Sequence, residues 1–437
     1  MAKPWDFPFL FRLLQLLGLF PYPLSPANVN RKRNTTTSIP LIVWSVSLSF
    51  LPLSLSVSTF YAYVNSYIDN RALKTLEFFT LIRITFMLLL YLQAFLVMLT
   101  LNSNAPNVRK LYNALVVYGT TQSNGRSHFV LFIWSFGYIA AFAFIIYNNM
   151  FLTIMKNDPE NATWTSRMGL FHTDSFQMPL YAVCAYVALS TALSASCEII
   201  PQNILLAAVL NIRCTLLILT NDVDKLITQE RPEAEKRADS VLDNVEREYR
   251  RLLMDMTKID KAFSGFMLLM FVKNAIYAAA LLGYFFTSLD AGQKSVTEIV
   301  DQSVVWAASS VSLVSACIQH HICISCHNQV DILRNALFNA GTHFLKGPQQ
   351  HRFDELYTLC TSHDAVITIG GFLRVDRQLI PTLAGILLGY GILIYQTHDT
   401  KMDMQTLVSK LEFAVLASQL GHCLPTGNLS LDSITPA

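Results

Sequence analysis

Seven long stretches of this chain contain almost no Asp, Glu, Lys or Arg. A helix needs about 20 apolar residues to cross the hydrocarbon core of a bilayer. Only 14% of the 437 residues are charged, against roughly 25% in an ordinary soluble domain. The sequence therefore predicts an all-α, seven-helix transmembrane bundle with spans at Ile39–Phe60, Leu76–Leu101, Phe129–Met155, Gln177–Cys197, Ala262–Ser288, Gln302–Ser325 and Gln378–Thr397, numbered 1 to 7 below.

Three charged residues fall inside these spans: Glu77 and Arg83 in span 2, and Lys273 in span 5. Arg83 is close enough to the membrane surface for its side chain to reach it, whereas Lys273 is near the middle of its span. A charge at that depth is costly and is expected to face the bundle interior or a wet cavity. Two explanations stay open for Lys273: a functional role, or an ion pair with a partner that the sequence does not identify.

The distribution of Lys and Arg predicts the orientation in the membrane. Most of the 32 basic residues lie before span 1 or after spans 2, 4 and 6, and cytoplasmic flanks carry the excess of positive charge. We therefore expect a cytosolic N-terminus and an extracellular C-terminus. The sequons at Asn161 and Asn428 then lie outside the cell and are glycosylation candidates, whereas Asn34 lies inside.

The predicted cytosolic regions also contain helices, as the spacing of their apolar residues indicates. Apolar residues recur at helical spacing between spans 4 and 5, which predicts an amphipathic helix running into span 5. Between spans 6 and 7, a break at Gly347-Pro348 separates a helix that continues span 6 from a second helix over Phe353–Arg374. The resulting division is cytosolic 1–38, transmembrane 39–221, cytosolic 222–261, transmembrane 262–325, cytosolic 326–377, transmembrane 378–397 and extracellular 398–437.

The end of the chain resembles the signature ending of the insect gustatory receptors, within the seven-transmembrane insect chemoreceptor superfamily. The family has a small-residue and aromatic stretch before a final helix that carries Thr-Tyr, five mostly apolar residues and Gln-Phe. Here Gly370–Arg377 matches the first stretch, and Tyr390 followed by Gln396 matches the second. Gly389 replaces the usual Thr, and Thr397 replaces the usual Phe.

The resemblance implies a ligand-gated, non-selective cation channel in the plasma membrane, opened by a small tastant such as a sugar or a bitter compound. It implies a homotetramer, or a heteromer with related receptors, in which span 7 lines a central pore. On that basis Gln396 belongs to the gate, Ile392 or Leu393 forms the hydrophobic constriction, and Tyr390 packs behind it. The small residues of span 7 have an alternative explanation, because they also permit close helix packing.

In the same family the ligand enters a pocket among the outer halves of spans 2 to 6. Polar aromatic and amide side chains there suit a sugar or a bitter alkaloid about equally. Tyr and Trp near span ends are also common membrane-interface anchors, so only part of this set is expected to contact ligand. The pocket candidates are Arg83, Tyr147, Gln177, Tyr181, Lys273, Tyr277, Tyr284 and Trp306.

Other classes of function have less support. The 32 basic and 30 acidic residues nearly cancel, so we expect membrane lipid as a partner and no nucleic acid. Cys323-x-x-Cys326-His327 has a haem-attachment spacing, but coincidence is favoured, and we expect no metal, no cofactor and no enzyme. The alternatives are an odorant-receptor-type channel, a G-protein-coupled receptor, which the cytosolic N-terminus disfavours, and a transporter, which would require repeated halves.

Overall fold

The computed structural model describes an almost entirely helical chain. Its helices are α1 (Phe7–Leu16), α2 (Ile39–Asp69), α3 (Phe78–Ser103), α4 (Ala105–Gln122), α5 (Ile133–Ala143), α6 (Leu180–Thr228), α7 (Arg231–Leu289), α8 (Val296–His343) and α9 (Gln349–Ser362). Two antiparallel ribbons pair β1 (His172–Thr173) with β2 (Phe176–Gln177) and β3 (Thr368–Ile369) with β4 (Leu373–Arg374). The described residues are 7–22, 39–69, 78–122, 133–143, 172–173, 176–177, 180–228, 231–289, 296–343, 349–362, 367–379, 381–382, 385 and 389.

Within these residues, three helices are long and apolar enough to cross a bilayer, and they belong to α2, α6 and α7. The end of α3 and the start of α4 meet the same criterion only when taken together, and a bend of 69° separates them. Predicted span 6 lies within α8. Span 3 is described only over α5, and span 7 is described only in part.

Three helices are much longer than the hydrocarbon core of a bilayer is thick. They contain 49 residues (α6), 59 residues (α7) and 48 residues (α8), so at 1.5 Å per residue each is about 70–90 Å long. The hydrocarbon core is about 30 Å thick. The structure therefore has the helical extensions that the sequence predicted after span 4, before span 5 and after span 6.

Helix α9 packs against the protruding parts of α7 and α8. The Arg334 guanidinium of α8 donates two hydrogen bonds to the Cys360 carbonyl, at 2.8 and 2.6 Å, and the Tyr249 hydroxyl of α7 lies 3.5 Å from the same oxygen. Cys360 is in the last turn of α9, where carbonyls have no partner within the helix. Arg352 of α9 adds ion pairs to Asp239 and Asp243 of α7.

The predicted helix over Phe353–Arg374 is wrong beyond Ser362. After α9 the chain forms the β3–β4 hairpin, in which the Val375 amide donates to the Ile367 carbonyl at 3.1 Å. The turn contains two consecutive glycines with positive φ, at 66° for Gly370 and 81° for Gly371. Glycine adopts this conformation without the steric cost that other residues bear, so the turn interrupts the helical pattern.

Candidate functional site

A buried ion pair joins α6 to α7 inside the helix bundle. Nζ of Lys273 donates to Oε1 of Glu198, and the two side chains are only 2% and 3% exposed. The same ammonium lies 5.2 Å from the centroid of the Tyr277 ring, within the range of a cation–π interaction. Glu198 is thus the partner of Lys273 that the sequence left unidentified.

The pair lies deep in the bundle. Glu198 comes 18 residues after the first residue of α6, and Lys273 comes 16 residues before the last residue of α7. At 1.5 Å per residue, the two positions are about 27 and 24 Å from those helix ends. An unpaired charge at this depth would be expensive, so each residue neutralises the other.

Two buried tyrosine hydroxyls form hydrogen bonds between helices of the same bundle. The Tyr91 hydroxyl of α3 lies 2.9 Å from Oγ1 of Thr191 in α6, and the Tyr138 hydroxyl of α5 lies 3.3 Å from Oγ of Ser312 in α8. Tyr138 also interacts electrostatically with Glu198. These hydrogen bonds therefore join α3 to α6 and α5 to α8, and Tyr138 links α5 to Glu198 as well.

One turn further along α6, an amide network links the helix to α8 and α7. Nε2 of Gln202 donates to the Ser315 carbonyl at 3.1 Å and to Oε1 of Gln319 at 3.0 Å, and Oγ of Ser315 donates back to Oε1 of Gln202 at 2.9 Å. Nε2 of Gln319 contacts Sδ of Met267 in α7. Every polar atom of the Gln202 side chain therefore has a partner, as buried amides require.

The β3–β4 hairpin fastens the start of the last helix to α7. Oδ1 of Asp260 accepts hydrogen bonds from both the amide and the hydroxyl of Thr368, at 2.8 and 2.7 Å. One turn along α7, the Ser264 carbonyl accepts a hydrogen bond from the Gly370 amide at 3.0 Å. The hairpin is held at two points by the helix that also carries Lys273.

Asp376 then begins the last helix. Its Oδ1 accepts hydrogen bonds from the amides of Gln378 and Leu379, at 3.0 and 3.1 Å, which is the geometry of a helix N-cap. Nε of the adjacent Arg377 donates to Oδ1 of Asn328 in α8 at 2.8 Å. The segment matching the gustatory-receptor signature therefore connects the last helix to both α7 and α8.

The structure brings together two of the predicted pocket candidates, Lys273 and Tyr277. Trp306 is half-buried on α8. For four other candidates only the backbone is described: Arg83 in α3, Gln177 in β2, Tyr181 in α6 and Tyr284 in α7. The remaining predicted residues lie outside the described residues: Tyr147, Tyr390, Ile392, Leu393, Gln396, Asn161 and Asn428.

The Cys-x-x-Cys-His segment lies within α8 and has free thiols. Cys323 and Cys326 are buried, and burial raises the pKa of the Cys326 thiol to about 12. A thiol that stays protonated is a poor metal ligand. Across the described ranges, no three His, Cys, Asp or Glu side chains are placed to hold a metal ion.

Sequence reasoning missed Glu198 and Tyr138 as members of this polar interior. For Glu198 a signal was present, because it is a single charge between Cys197 and an apolar run that continues to Ile212. A charge placed like that needs a partner as much as Lys273 does. No comparable signal marks Tyr138, whose span contains other residues of similar polarity.

Long apolar helices around a buried charge pair define a multi-pass membrane protein with a polar interior. Residues 7–401 match the 7tm chemosensory receptor family, and the chain belongs to that family. Its members are ligand-gated channels and not enzymes. The predicted place in the insect chemoreceptor superfamily is therefore confirmed.

The fold is similar to that of the insect olfactory receptor OR5 from Machilis hrabei. A structure of that receptor in complex with eugenol gives a TM-score of 0.60 at 15% identity, over 89% of this chain and 98% of that chain. A second OR5 structure gives a TM-score of 0.59 at 14% identity, over 89% of this chain and 97% of that chain. No curated protein sequence matches this chain significantly. At such low identity the likeness shows the fold alone.

Proposed function

We propose that this chain is a subunit of a gustatory receptor, a ligand-gated, non-selective cation channel that a sugar or a bitter compound opens. Membership of the chemosensory family supports the channel. The signature ending favours the gustatory subtype, since Gly370–Arg377 resembles the first stretch of the family pattern and Tyr390 is followed by Gln396 at the family spacing. The plasma membrane is the expected location.

The pore belongs to the last helix in this proposal. Gly385 and Gly389 are exposed helical positions, and a Cβ built on either would meet no atom within 4 Å. A ring of four subunits, identical or related, would turn that open face towards a central axis. Farther along the same helix, Ile392, Leu393 and Gln396 would form the gate, with Tyr390 packed behind them.

Coupling between ligand and gate would pass through α7. Lys273 is 13 residues from Asp260, so the polar interior and the hairpin attachment are about 20 Å apart on one continuous helix. A ligand that binds the open form more tightly than the closed form shifts the population towards the open form. A displacement of α7 would then move the hairpin and the helix that follows it.

Whole-cell recording tests the pore assignment. Cells that express the chain receive a panel of sugars and bitter compounds, and Ile392→Ala and Gln396→Ala are compared with Ile42→Ala on the exposed face of α2. We expect a tastant-evoked cation current whose leak or rectification changes in the first two variants and not in the third. Equal leak and equal rectification in all three variants would contradict the pore assignment.

Epitope tags test the orientation. An N-terminal tag should be accessible only after permeabilisation, and a C-terminal tag should be accessible on intact cells. Asn161→Gln and Asn428→Gln should each remove a glycan if their loops face outward. An externally accessible N-terminal tag would refute this topology.

An odorant-receptor-type channel is the second candidate, because the two similar structures named above are of an insect olfactory receptor. The two candidates differ in ligand. Eugenol, which is present in one of those structures, belongs in the recording panel as the probe for this alternative. Activation by eugenol and by no sugar or bitter compound would favour the odorant subtype.

A further inference from the structure

Hydrogen bonds fix the end of α1 to the first helix of the bundle and to the second. Nε1 of Trp44 in α2 donates to the Leu16 carbonyl at 2.9 Å. The Gly18 carbonyl accepts from the Ser45 hydroxyl of α2 and, at 3.2 Å, from Nδ2 of Asn102 in α3. Trp44 is five residues after the first residue of α2, and Asn102 is one residue before the last residue of α3. At 1.5 Å per residue, α1 therefore ends within about 8 Å of the level where α2 begins and α3 ends.

The outer surface of this region is apolar. Leu16 is 64% exposed although it lies against α2, and Val43 and Trp44 of α2 are exposed as well. Apolar side chains on the outside of a membrane bundle contact acyl chains, and Trp is frequent at the boundary between lipid and water. This surface, together with the start of α4, is called the α1 corner below and is defined by Arg12, Leu16, Trp44, Arg109 and Tyr112.

Two arginines lie beside the aromatic side chains that join α1 to α4. The ring centroids of Phe11 in α1 and Tyr112 in α4 are 4.7 Å apart. Arg12, next to Phe11, interacts electrostatically with Tyr112. Arg109 precedes Tyr112 by one turn of α4, and its guanidinium lies 5.0 Å from the centroid of the Tyr22 ring. Arg12 and Arg109 are therefore both neighbours of Tyr112, one from α1 and the other from α4.

The positive charge of the α1 corner has no acidic partner in the part of the chain that the structure describes. Residues 7–68 and 78–157 contain no Asp or Glu. Neither Arg12, Arg109 nor the exposed Lys110 forms an ion pair with a described residue, whereas Arg250 on the protruding part of α7 pairs with Glu246. A guanidinium matches the oxygens of a phosphate in a bidentate geometry. An anion with phosphate oxygens is therefore the ligand that this surface fits.

The apolar part of the surface distinguishes a phospholipid from a soluble anion. Free phosphate or an acidic peptide would gain nothing from the exposed side chains of Leu16 and Val43, whereas a phospholipid would place its acyl chains on them. Arg12 is four residues before Leu16, and Arg109 is six residues after the end of α3. These separations are about 6 and 9 Å along the helices. Both guanidiniums are therefore close enough to the membrane boundary to reach the headgroup layer.

We propose that the α1 corner binds the phosphate of an anionic phospholipid through Arg12 and Arg109, with Lys110 adding positive charge. Cytoplasmic leaflets hold the anionic lipids, so the assignment to the inner leaflet rests on the proposed orientation of the chain. The headgroup chemistry is independent of that orientation. A bound lipid would join α1 to α4, which packs against α7, and would stabilise this end of the bundle.

Thermal unfolding in nanodiscs of two compositions tests the site. One set contains phosphatidylcholine alone, and the other contains equal parts of phosphatidylcholine and phosphatidylserine. We expect phosphatidylserine to raise the melting temperature of the wild-type receptor, and Arg12→Gln and Arg109→Gln each to lose that increase. Arg213→Gln on α6 removes an exposed charge elsewhere and should keep it. Each variant is compared with itself in the two lipids, so a direct loss of stability cancels.

Three results of this measurement would overturn the proposal. They are the absence of an increase in the wild-type receptor, an increase that survives in Arg12→Gln or Arg109→Gln, and an equal loss in Arg213→Gln. The last result would mean that phosphatidylserine responds to positive charge in general and not to the α1 corner.

Native mass spectrometry of the receptor in neutral detergent measures the affinity and separates lipid from free phosphate. A single Lys or Arg near an anionic surface changes binding by about fivefold. We therefore expect Arg12→Gln and Arg109→Gln each to weaken phosphatidylserine binding by about that factor, and phosphatidylcholine to bind equally to all variants. Inorganic phosphate should not displace phosphatidylserine. Displacement would identify a site for free anions and would overturn the assignment to a lipid.

The N-terminal epitope tag separates this inference from the proposed function. A tag accessible on intact cells would overturn the assignment to the inner leaflet, even where Arg12→Gln and Arg109→Gln abolish the lipid effect. A cytosolic tag in a receptor whose stability ignores phosphatidylserine would overturn the headgroup site and leave the proposed orientation and channel in place.

Discussion

Replacing Lys273 with methionine removes the charge that neutralises Glu198 and keeps a side chain of similar length. Both side chains of the pair are at most 3% exposed, so water cannot solvate the carboxylate that remains. Removing one partner of a buried ion pair costs about 3–5 kcal/mol, whereas replacing both partners with apolar residues is often neutral. We therefore expect Lys273→Met to lose about 3–5 kcal/mol of stability, and Lys273→Met/Glu198→Leu to recover most of that loss.

Unfolding of the purified receptor in mixed micelles with increasing SDS measures these free energies. The control is Lys225→Met on α6, whose ion pair with Asp222 spans 3.1 Å with side chains 67% and 32% exposed. An exposed pair contributes at most about 1 kcal/mol. The reasoning is refuted if Lys273→Met costs no more than the control, or if the double variant costs as much as its two single variants added together.

Three further outcomes follow from contacts outside the ion pair. Asp260→Ala removes the acceptor of two hydrogen bonds from Thr368, so a tastant-evoked current should fall while surface expression is retained; an unchanged current would contradict the coupling through the hairpin. Gly370→Ala places a Cβ 3.2 Å from Cδ2 of Leu268 in α7 and against the ring of Phe372, whereas Gly371→Ala meets no atom within 4 Å. Because both positions have a positive φ, only the added contacts distinguish the two variants. The first should therefore lower the melting temperature more, and equal effects would argue against this turn geometry. Burial raises the pKa of the Cys360 thiol to about 11, so N-ethylmaleimide at neutral pH should modify it only after denaturation; mass spectrometry showing modification of the folded receptor would exclude that burial.

The long helices could be predicted from sequence because their pattern is physically constrained. In lipid every backbone amide must be satisfied within the element, so an apolar run of sufficient length has to be helical. The amphipathic residues before span 5 continue the same periodicity, and α7 therefore runs unbroken from Arg231 to Leu289.

The hairpin could not be predicted in the same way. Residues after Phe353 keep an apolar pattern compatible with a helix, and only Gly370 and Gly371 mark a turn. The strands contain two residues each, too few to show the alternation that identifies a strand. Their stability comes from Asp260 and Ser264, which are more than 100 residues earlier in the chain.

The candidate site was half visible in the sequence. Lys273 is conspicuous in the sequence because a lone charge inside an apolar run is costly. Glu198 is less conspicuous, because the predicted spans are bounded by charged residues. Predicted span 4 therefore ends at Cys197, one residue before it. The apolar run resumes at Ile199, so a search that allowed one charge per span would have found two single charges of opposite sign on adjacent spans.

The ion pair also bears on how such a bundle can move. Sliding α6 along α7 would separate Lys273 from Glu198 and leave two unpaired charges in the interior, at a cost of several kcal/mol. The amide network of Gln202 joins the same helices to α8 one turn away. We therefore expect α6, α7 and α8 to move together at this depth. The hydrogen bonds of the hairpin to Asp260 and Ser264 would then pass a displacement of this unit on to the last helix.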